Sequence, residues 1–126
     1  MTPLFSFAGI VFRHLGRGRE LGYPTANVKV LPNTPEGIFA GIARLGDESF
    51  HSLIFVGRPL TFDESDKKAE VHILDFDRDI YDQELKVESF VKLRENIKFE
   101  SKEQLISQMG IDESQAREWF SQFQMV

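Results

Sequence analysis

Residues 16–28, GRGRELGYPTANV, combine three glycines and two arginines in one short stretch. Glycine lets backbone N–H groups come close to anionic oxygens, and arginine adds positive charge beside them. The spacing fits neither standard phosphate loop, because no lysine follows the last glycine and the glycines are too far apart for G-x-G-x-x-G. The stretch favours a small anionic ligand, and the alternative is a solvated loop whose arginines have no ligand.

Two side-chain oxygens follow the glycines in the same stretch. Pro24 fixes its own φ and biases the residue before it toward extended geometry. Thr25 and Asn27 are two residues apart, so both side chains point to one face if they lie on a strand. A hydroxyl and an amide carbonyl are hard oxygen ligands, which suit a Mg²⁺ that keeps most of its water. A turn followed by a polar strand edge is the alternative.

A third candidate is the acidic residue of EVHILDF, which spans residues 70–76. On a strand, Glu70 shares a face with His72, Leu74 and Phe76. A carboxylate on such a largely apolar face needs either a partner or a chemical task. Glu70 is therefore a candidate functional residue, and the alternative is a salt bridge to Lys67 or Lys68 at a strand edge.

Strands must position these side chains, because apolar residues occur mainly in short runs or in alternation. Six segments have this pattern: 7–13, 26–30, 37–45, 50–57, 69–76 and 85–93. In the last segment one face is expected to carry Leu85, Val87, Val91 and Leu93. Six short strands followed by helices predict a closed antiparallel barrel capped by a helix. Such a barrel has little free interior, so we expect a ligand at its mouth or under its loops.

Helical patterns are confined to the C-terminal part of the chain. Ser101 and Gln104 form a capping box, and Gly110 is placed to end the helix that they open. Asp112 with Gln115 repeats the capping signature. An apolar stripe at helical spacing follows and is expected to pack in the core: Ala116, Trp119, Phe120 and Phe123.

Length and composition limit the class of protein. The 126 residues suit one domain (1–126), with the barrel at 7–93 and the helical segment at 101–124. The chain has no cysteine, no secretory leader and no apolar run near the roughly 20 residues that cross a bilayer. We therefore expect a cytoplasmic monomer without a membrane partner. The net charge of −5 argues against nucleic acid as a partner.

Taken together, these segments resemble the riboflavin kinase (flavokinase) family, including the kinase module of bacterial bifunctional FAD synthetases. The resemblance extends from Gly9 to Trp119. It rests on GRELGYPTAN (18–27), EGIFAG (36–41), EVHILDF (70–76), DIY (79–81) and the LR and FES residues of 93–101. It implies a mainly β fold, a six-stranded antiparallel Greek-key barrel with a C-terminal α-helix. The implied activity is ATP-dependent phosphorylation of the riboflavin 5′-hydroxyl, giving FMN and ADP.

The resemblance also implies a role for each candidate residue. Glu70 is the expected catalytic base, and Thr25 and Asn27 are expected to serve Mg²⁺ as well as phosphate. The expected nucleotide- and phosphate-binding residues are Gly16, Arg17, Gly18, Arg19, Gly22, Pro24, Thr25 and Asn27. The expected flavin-binding residues are Arg94, Phe99 and Ser101. The implied partners are riboflavin, FMN, ATP and ADP, with Mg²⁺ or another divalent metal as cofactor.

Several positions depart from the pattern of the family. Arg13-His14 stands where histidine-glycine is usual, Phe55 replaces a polar residue, and Leu60 replaces a proline. Asp82 replaces the glycine that ends the D-x-Y-G motif.

A barrel that binds flavin or nucleotide without turnover, as a sensor or carrier, is the alternative function. The joint presence of Thr25, Asn27 and Glu70 favours the enzyme, because a passive binder does not need a base.

Overall fold

The computed structural model describes residues 1–12, 25–58 and 67–123. This part of the chain contains β1 (Phe5–Ile10), β2 (Ala26–Lys29), β3 (Gly37–Leu45), β4 (Glu48–Gly57), β5 (Lys68–Ile73), β6 (Glu84–Arg94) and α1 (Lys102–Phe123). Each strand overlaps one of the six segments predicted from the sequence. The predicted mainly β fold class is therefore confirmed.

The six strands form one antiparallel sheet in the order β1-β6-β3-β4-β5-β2. Strands β3, β4 and β5 are consecutive neighbours, and β6 returns to lie beside β3, which is the Greek-key arrangement. The two edges of the sheet meet where the Phe12 amide donates to the Asn27 carbonyl at 3.0 Å. The strands thus form a nearly closed Greek-key barrel, as predicted.

Apolar side chains pack on both faces of the sheet. One cluster fills the inside of the barrel and includes the buried residues Phe39, Ile54 and Leu85. A second cluster lies between the outer face and α1, where Leu53 packs with Phe120. Because side chains fill the interior, a ligand must bind on the outside of the barrel.

Strand β6 does not keep one apolar face along its whole length. Its pairing with β3 shifts register at residues 40–41 of β3. Leu85 and Val87 therefore pack inside the barrel, whereas Val91 and Leu93 pack with the outer cluster. The prediction that all four share one face was wrong, because a bulge reverses the alternation of side chains.

Helix α1 runs without interruption from Lys102 to Phe123. The N-cap prediction is confirmed, since the Ser101 hydroxyl accepts the Gln104 amide at 3.2 Å. Gly110 does not end the helix, and Asp112 is an interior helical residue with no exposed surface rather than a second N-cap. An interior glycine costs only about 1 kcal/mol relative to alanine. Burial of the helix face on both sides of Gly110 offsets that cost.

The predicted apolar stripe of α1 packs mainly in the outer cluster. Ala116 and Phe120 are buried there, and Trp119 packs against them. The His51 ring stacks on Phe120 with the ring centroids 4.0 Å apart. Phe123 is the exception, because it is 46% exposed and contacts the Trp119 ring. Among the described residues, no helix combines the length and apolar character needed to cross a membrane.

The Asp82 departure occurs at a backbone position that suits glycine. Its φ is 67°, in the left-handed region that most side chains avoid, and its amide donates to the Val11 carbonyl at 2.9 Å. Aspartate enters this region more readily than most residues, so the turn forms without the glycine. Leu60 and Arg13-His14 lie outside the described residues.

Candidate active site

The predicted site residues fall into two groups. Those of the glycine-rich loop and its proline lie outside the described residues: Gly16, Arg17, Gly18, Arg19, Gly22 and Pro24. The described group comprises Thr25, Asn27, Glu70, Arg94, Phe99 and Ser101.

The register of the sheet aligns three residues of the described group. Glu70 on β5 is directly opposite Asn27 on β2 and Phe55 on β4. Phe55 is opposite Ile38 on β3, and Ile38 is opposite Arg94 on β6. Directly opposed residues point to the same face of an antiparallel sheet. We call these five residues, Asn27, Glu70, Phe55, Ile38 and Arg94, the outer row.

The outer row crosses five strands on the face that α1 also covers. With strands about 4.7–4.9 Å apart, it extends about 19 Å from Asn27 to Arg94. It brings the predicted metal ligand Asn27, the predicted base Glu70 and the predicted flavin-binding residue Arg94 to one surface. Phe55 and Ile38 lie between Glu70 and Arg94 and give the surface an apolar middle.

A cavity of about 200 Å³ lies over the outer row. Its lining comprises Thr25, Ile38, Phe55, Glu70, Arg94, Asn96, Ile97, Phe99, Leu105 and Met109. The order of the strands puts the Glu70 carboxylate at one side of this cavity and Arg94 at the other. The cavity therefore combines apolar walls with an acidic group at one side and a basic group at the other.

The Arg94 guanidinium is held by a buried carboxylate of α1. Its Nε lies 2.8 Å from Asp112 Oδ1, and its Nη2 lies 2.7 Å from Asp112 Oδ2. Asp112 has no exposed surface and also accepts the Gln108 side-chain amide at 3.0 Å. This bidentate pair joins α1 to β6 and holds Leu105 and Met109 over the cavity.

Phe99 and Ser101 differ in their relation to the cavity. Phe99 lines it, and its ring centroid lies 5.8 Å from the Arg94 guanidinium carbon. Ser101 is exposed, caps α1 and is not part of the lining. The contact of Ser101 with flavin stays a prediction from the family resemblance.

Glu70 is one-third exposed and has a basic neighbour on its own strand. Lys68 Nζ lies 3.7 Å from Glu70 Oε1 and 3.4 Å from Asn27 Oδ1. The salt bridge considered for Glu70 is therefore present with Lys68, and Glu70 nonetheless faces the cavity. Lys67, the other basic residue considered, is 4% exposed and pairs with Glu36 at 3.2 Å.

Oxygen donors suited to Mg²⁺ lie beside Glu70. Thr25 lines the cavity with Glu70, and Asn27 is directly opposite Glu70 in the sheet. Within residues 1–12, 25–58 and 67–123, no cluster of three or more histidine, cysteine or acidic side chains could hold a metal. A site with few protein ligands suits Mg²⁺, because this ion keeps several waters and binds substrate phosphates. The donor chemistry of Thr25 and Asn27 therefore fits this ion.

Comparison with protein families gives an independent result. The family model Flavokinase, described as riboflavin kinase, matches residues 2–120. The chain belongs to the riboflavin kinase family. The matched range includes every strand and the part of α1 that lies over the outer row. The resemblance stated from the sequence motifs is thereby confirmed.

A curated member of the family agrees with this assignment. A bifunctional riboflavin kinase/FMN adenylyltransferase from Listeria monocytogenes is 32% identical over 126 residues, covering 95% of this chain and 40% of the relative. The chain spans 40% or less of the length of the first curated relatives that it matches.

Two crystal structures share the fold of the chain. One, described as a macrolide-efflux protein from Streptococcus pneumoniae, has a TM-score of 0.82 and 34% identity over 93% of this chain and 39% of that chain. The other is riboflavin kinase from Trypanosoma brucei, with a TM-score of 0.67 and 19% identity over 96% of this chain and 82% of that chain. At 19% identity the second likeness shows the fold alone.

Most of the apolar lining was not among the residues predicted from the family motifs. The motifs mark Phe55 as a departure and include Ile38 without assigning it to the site, and they do not include Leu105 or Met109. Alternation along a strand indicates which side chains share a face, but it does not give the register between strands. The signal that could have identified Phe55 is its position on the same strand face as Leu53, which packs in the outer cluster.

Proposed function

We propose that this chain transfers the γ-phosphoryl group of ATP to the 5′-hydroxyl of riboflavin, giving FMN and ADP. The outer row is the observation that carries the proposal. In it a carboxylate, Glu70, lies between an oxygen donor, Asn27, and an apolar surface formed by Phe55 and Ile38. Membership of the riboflavin kinase family supports the same reaction.

The apolar walls of the cavity suit the flat isoalloxazine ring of the flavin. Phe55 and Ile38 offer one surface, and Leu105 and Met109 of α1 offer another. Burial of apolar ring surface against aromatic and aliphatic side chains stabilises such a complex. With the ring at this position, the ribityl chain extends along the outer row toward Glu70.

The chemical step requires a proton acceptor next to the attacking hydroxyl. Glu70 accepts the proton of the 5′-hydroxyl while the hydroxyl oxygen forms a bond to the γ-phosphorus. The bond from the γ-phosphorus to the bridging oxygen breaks, and ADP leaves with that electron pair. Phosphoryl transfer depends mainly on alignment and on neutralisation of charge, so the base is a supporting contribution.

Thr25 and Asn27 are the described residues that would hold the metal and the nucleotide phosphates. A Mg²⁺ held there would offset the negative charge of the phosphates. The glycine-rich residues 16–22 are the proposed phosphate-binding loop. In the sequence, residues 13–24 connect Phe12 to Thr25. Both of these end residues lie beside Asn27 in the barrel.

Asn27→Ala is expected to raise the Mg²⁺ concentration that gives half-maximal activity by about 10-fold. The variant removes one of the two proposed oxygen donors while leaving Glu70 in place. Activity would be measured across a Mg²⁺ titration at saturating ATP and riboflavin. Asn96→Ala is the matched control, since Asn96 lines the cavity but uses its amide to donate to the Val56 carbonyl. An unchanged Mg²⁺ response in Asn27→Ala contradicts the metal assignment.

Phe55→Ala is expected to weaken riboflavin binding by about 10-fold, since an aromatic contact in a cavity wall contributes on the order of 1 kcal/mol beyond its buried area. Quenching of riboflavin fluorescence on binding gives the affinity. Phe50→Ala on the same strand is the control, because Phe50 packs against Phe76 away from the cavity lining. Equal riboflavin affinity of Phe55→Ala and wild type would rule out a flavin position over Phe55.

Incubation of the protein with riboflavin and MgATP, followed by chromatography, tests the proposed reaction. We expect FMN and ADP to accumulate in equal amounts. Riboflavin binding without FMN formation, with any nucleoside triphosphate, would reject the reaction and support the sensor or carrier alternative.

We propose that the chain acts as a cytoplasmic monomer without a membrane partner, and its net charge of −5 argues against nucleic acid as a partner. Light scattering of the purified protein at working concentration would give the mass expected for a single chain.

A further inference from the structure

Lys68 lies where the two proposed substrates would meet. Its ammonium nitrogen is 3.4 Å from Asn27 Oδ1 and 3.7 Å from Glu70 Oε1. In the proposed reaction Asn27 serves the metal and nucleotide phosphates, and Glu70 serves the riboflavin hydroxyl. The Lys68 ammonium therefore contacts one residue assigned to the nucleotide and one residue assigned to riboflavin.

The strand holds Lys68 in this position. Lys68 and Glu70 are two residues apart on β5, so their side chains share the face that carries the outer row. The Lys68 side chain is 16% exposed, whereas Lys29, its directly opposed neighbour on β2, is an exposed residue. Lys68 is therefore a partly buried charge beside Glu70, which lines the cavity, and not a freely solvated one.

The two contacts of the Lys68 ammonium within the described part of the chain are long. A charge-assisted N–H···O hydrogen bond is usually about 2.7–2.9 Å, and an ammonium has three donors. At 3.4 Å and 3.7 Å neither contact is a short hydrogen bond. The ammonium thus keeps donor capacity for a stronger acceptor that enters between Asn27 and Glu70.

We propose that Lys68 contacts the phosphoryl group during its transfer and then the 5′-phosphate of the FMN product. The inference rests on the proposed function. The phosphoryl group must pass between the residues that hold the nucleotide phosphates and the carboxylate beside the hydroxyl. A compact ammonium fixed at that point offsets charge that develops there, and Lys68 forms no covalent bond.

The affinity for FMN relative to riboflavin tests this contact directly. The two flavins differ by the 5′-phosphate, so Lys68→Met is expected to weaken FMN binding by about 10-fold or more while riboflavin binding is unchanged. Flavin fluorescence without nucleotide measures both affinities. Lys86→Met, which removes an exposed lysine of β6, is the matched control and is expected to change neither.

Two further measurements distinguish a direct contact of Lys68 with the phosphate from an indirect effect of Lys68 through Glu70. In a Glu70→Gln background, Lys68→Met is still expected to weaken FMN binding, and Lys68→Arg is expected to retain part of the FMN affinity. If Lys68→Met has no effect on FMN once Glu70 is neutral, Lys68 acts through Glu70 and the proposal is wrong. Equal losses for FMN and riboflavin, or no loss for either, overturn it as well.

Wild-type protein supplies a test that does not depend on the folding of a variant. FMN affinity is expected to fall with added salt more steeply than riboflavin affinity, and equal salt dependence would contradict the contact. FMN formation by the wild type tests the reaction separately. One outcome is that the wild type makes no FMN while Lys68→Met still loses the preference for FMN over riboflavin. That result would support the phosphate contact and reject the proposed reaction.

Discussion

Glu70→Gln is expected to lower the rate of FMN formation by about 10²–10⁴-fold, the usual contribution of a positioned general base. Glutamine keeps the size of the side chain but cannot accept the proton of the 5′-hydroxyl. Riboflavin binding should be retained, because the cavity walls are formed mainly by other residues. Chromatography of FMN under saturating substrates gives the rate, and fluorescence quenching gives the affinity.

Glu88→Gln is a closely matched control for that variant. The Glu88 side chain is 31% exposed and that of Glu70 is 32% exposed, and both are strand residues paired with a basic side chain. Glu88 pairs with Arg44 on a part of the sheet that does not line the cavity. We expect Glu88→Gln to form FMN at the wild-type rate. A wild-type rate in Glu70→Gln, or an equal loss in both variants, would show that Glu70 is not the base.

Asp112→Asn is expected to lower the free energy of unfolding by about 3–5 kcal/mol, the largest stability effect that we expect. The substitution removes the counter-charge of Arg94, whose side chain is only 13% exposed, and leaves that guanidinium without an opposing charge. Urea denaturation of wild type and variant measures the difference. Replacement of both partners, Arg94→Met with Asp112→Leu, is expected to recover much of the stability, because apolar side chains need no partner.

An exposed ion pair between α1 and the residues after β5 provides the control for this prediction. Arg117 donates two hydrogen bonds to Asp75, whose side chain is 76% exposed. Hydrogen bonding and charge from Arg117 lower the pKa of Asp75 below its ordinary 3.8. Stability from this pair is therefore present at neutral pH and is lost as the pH falls through the lowered pKa.

Asp75→Asn should change stability little at neutral pH, because exposed ion pairs contribute little and asparagine tolerates the φ of 56° at this position. If Asp112→Asn unfolds at the same urea concentration as Asp75→Asn, the buried pair does not anchor α1 to the sheet.

The fold could largely be predicted from the sequence, because alternation of apolar residues is a local signal. This local signal could not predict the bulge in β6, since bulges depend on pairing with another strand. The bulge places Leu85 and Val87 inside the barrel and Val91 and Leu93 outside it. The sequence also could not predict that α1 continues through Gly110. The buried contacts that outweigh the glycine come from distant strands.

Candidate site residues could be named from their types, but their arrangement could not. Asn27, Glu70 and Arg94 are far apart in sequence, and only the register across five strands brings them into one row. Phe55 illustrates the difference, because motif comparison marks it as a departure while the register makes it the direct neighbour of Glu70. The sequence indicates Lys68 only as a salt-bridge partner of Glu70, since its approach to Asn27 depends on the same register.

A crystal structure of the protein with FMN and MgADP tests the central claim most directly. We expect the isoalloxazine ring over Phe55 and the oxygen that bears the FMN phosphate within about 2.6–3.2 Å of the Glu70 carboxylate. The FMN phosphate should lie between Glu70 and the side chains of Thr25 and Asn27. FMN bound away from the outer row, with its phosphate beyond the reach of Glu70, would contradict the proposed site.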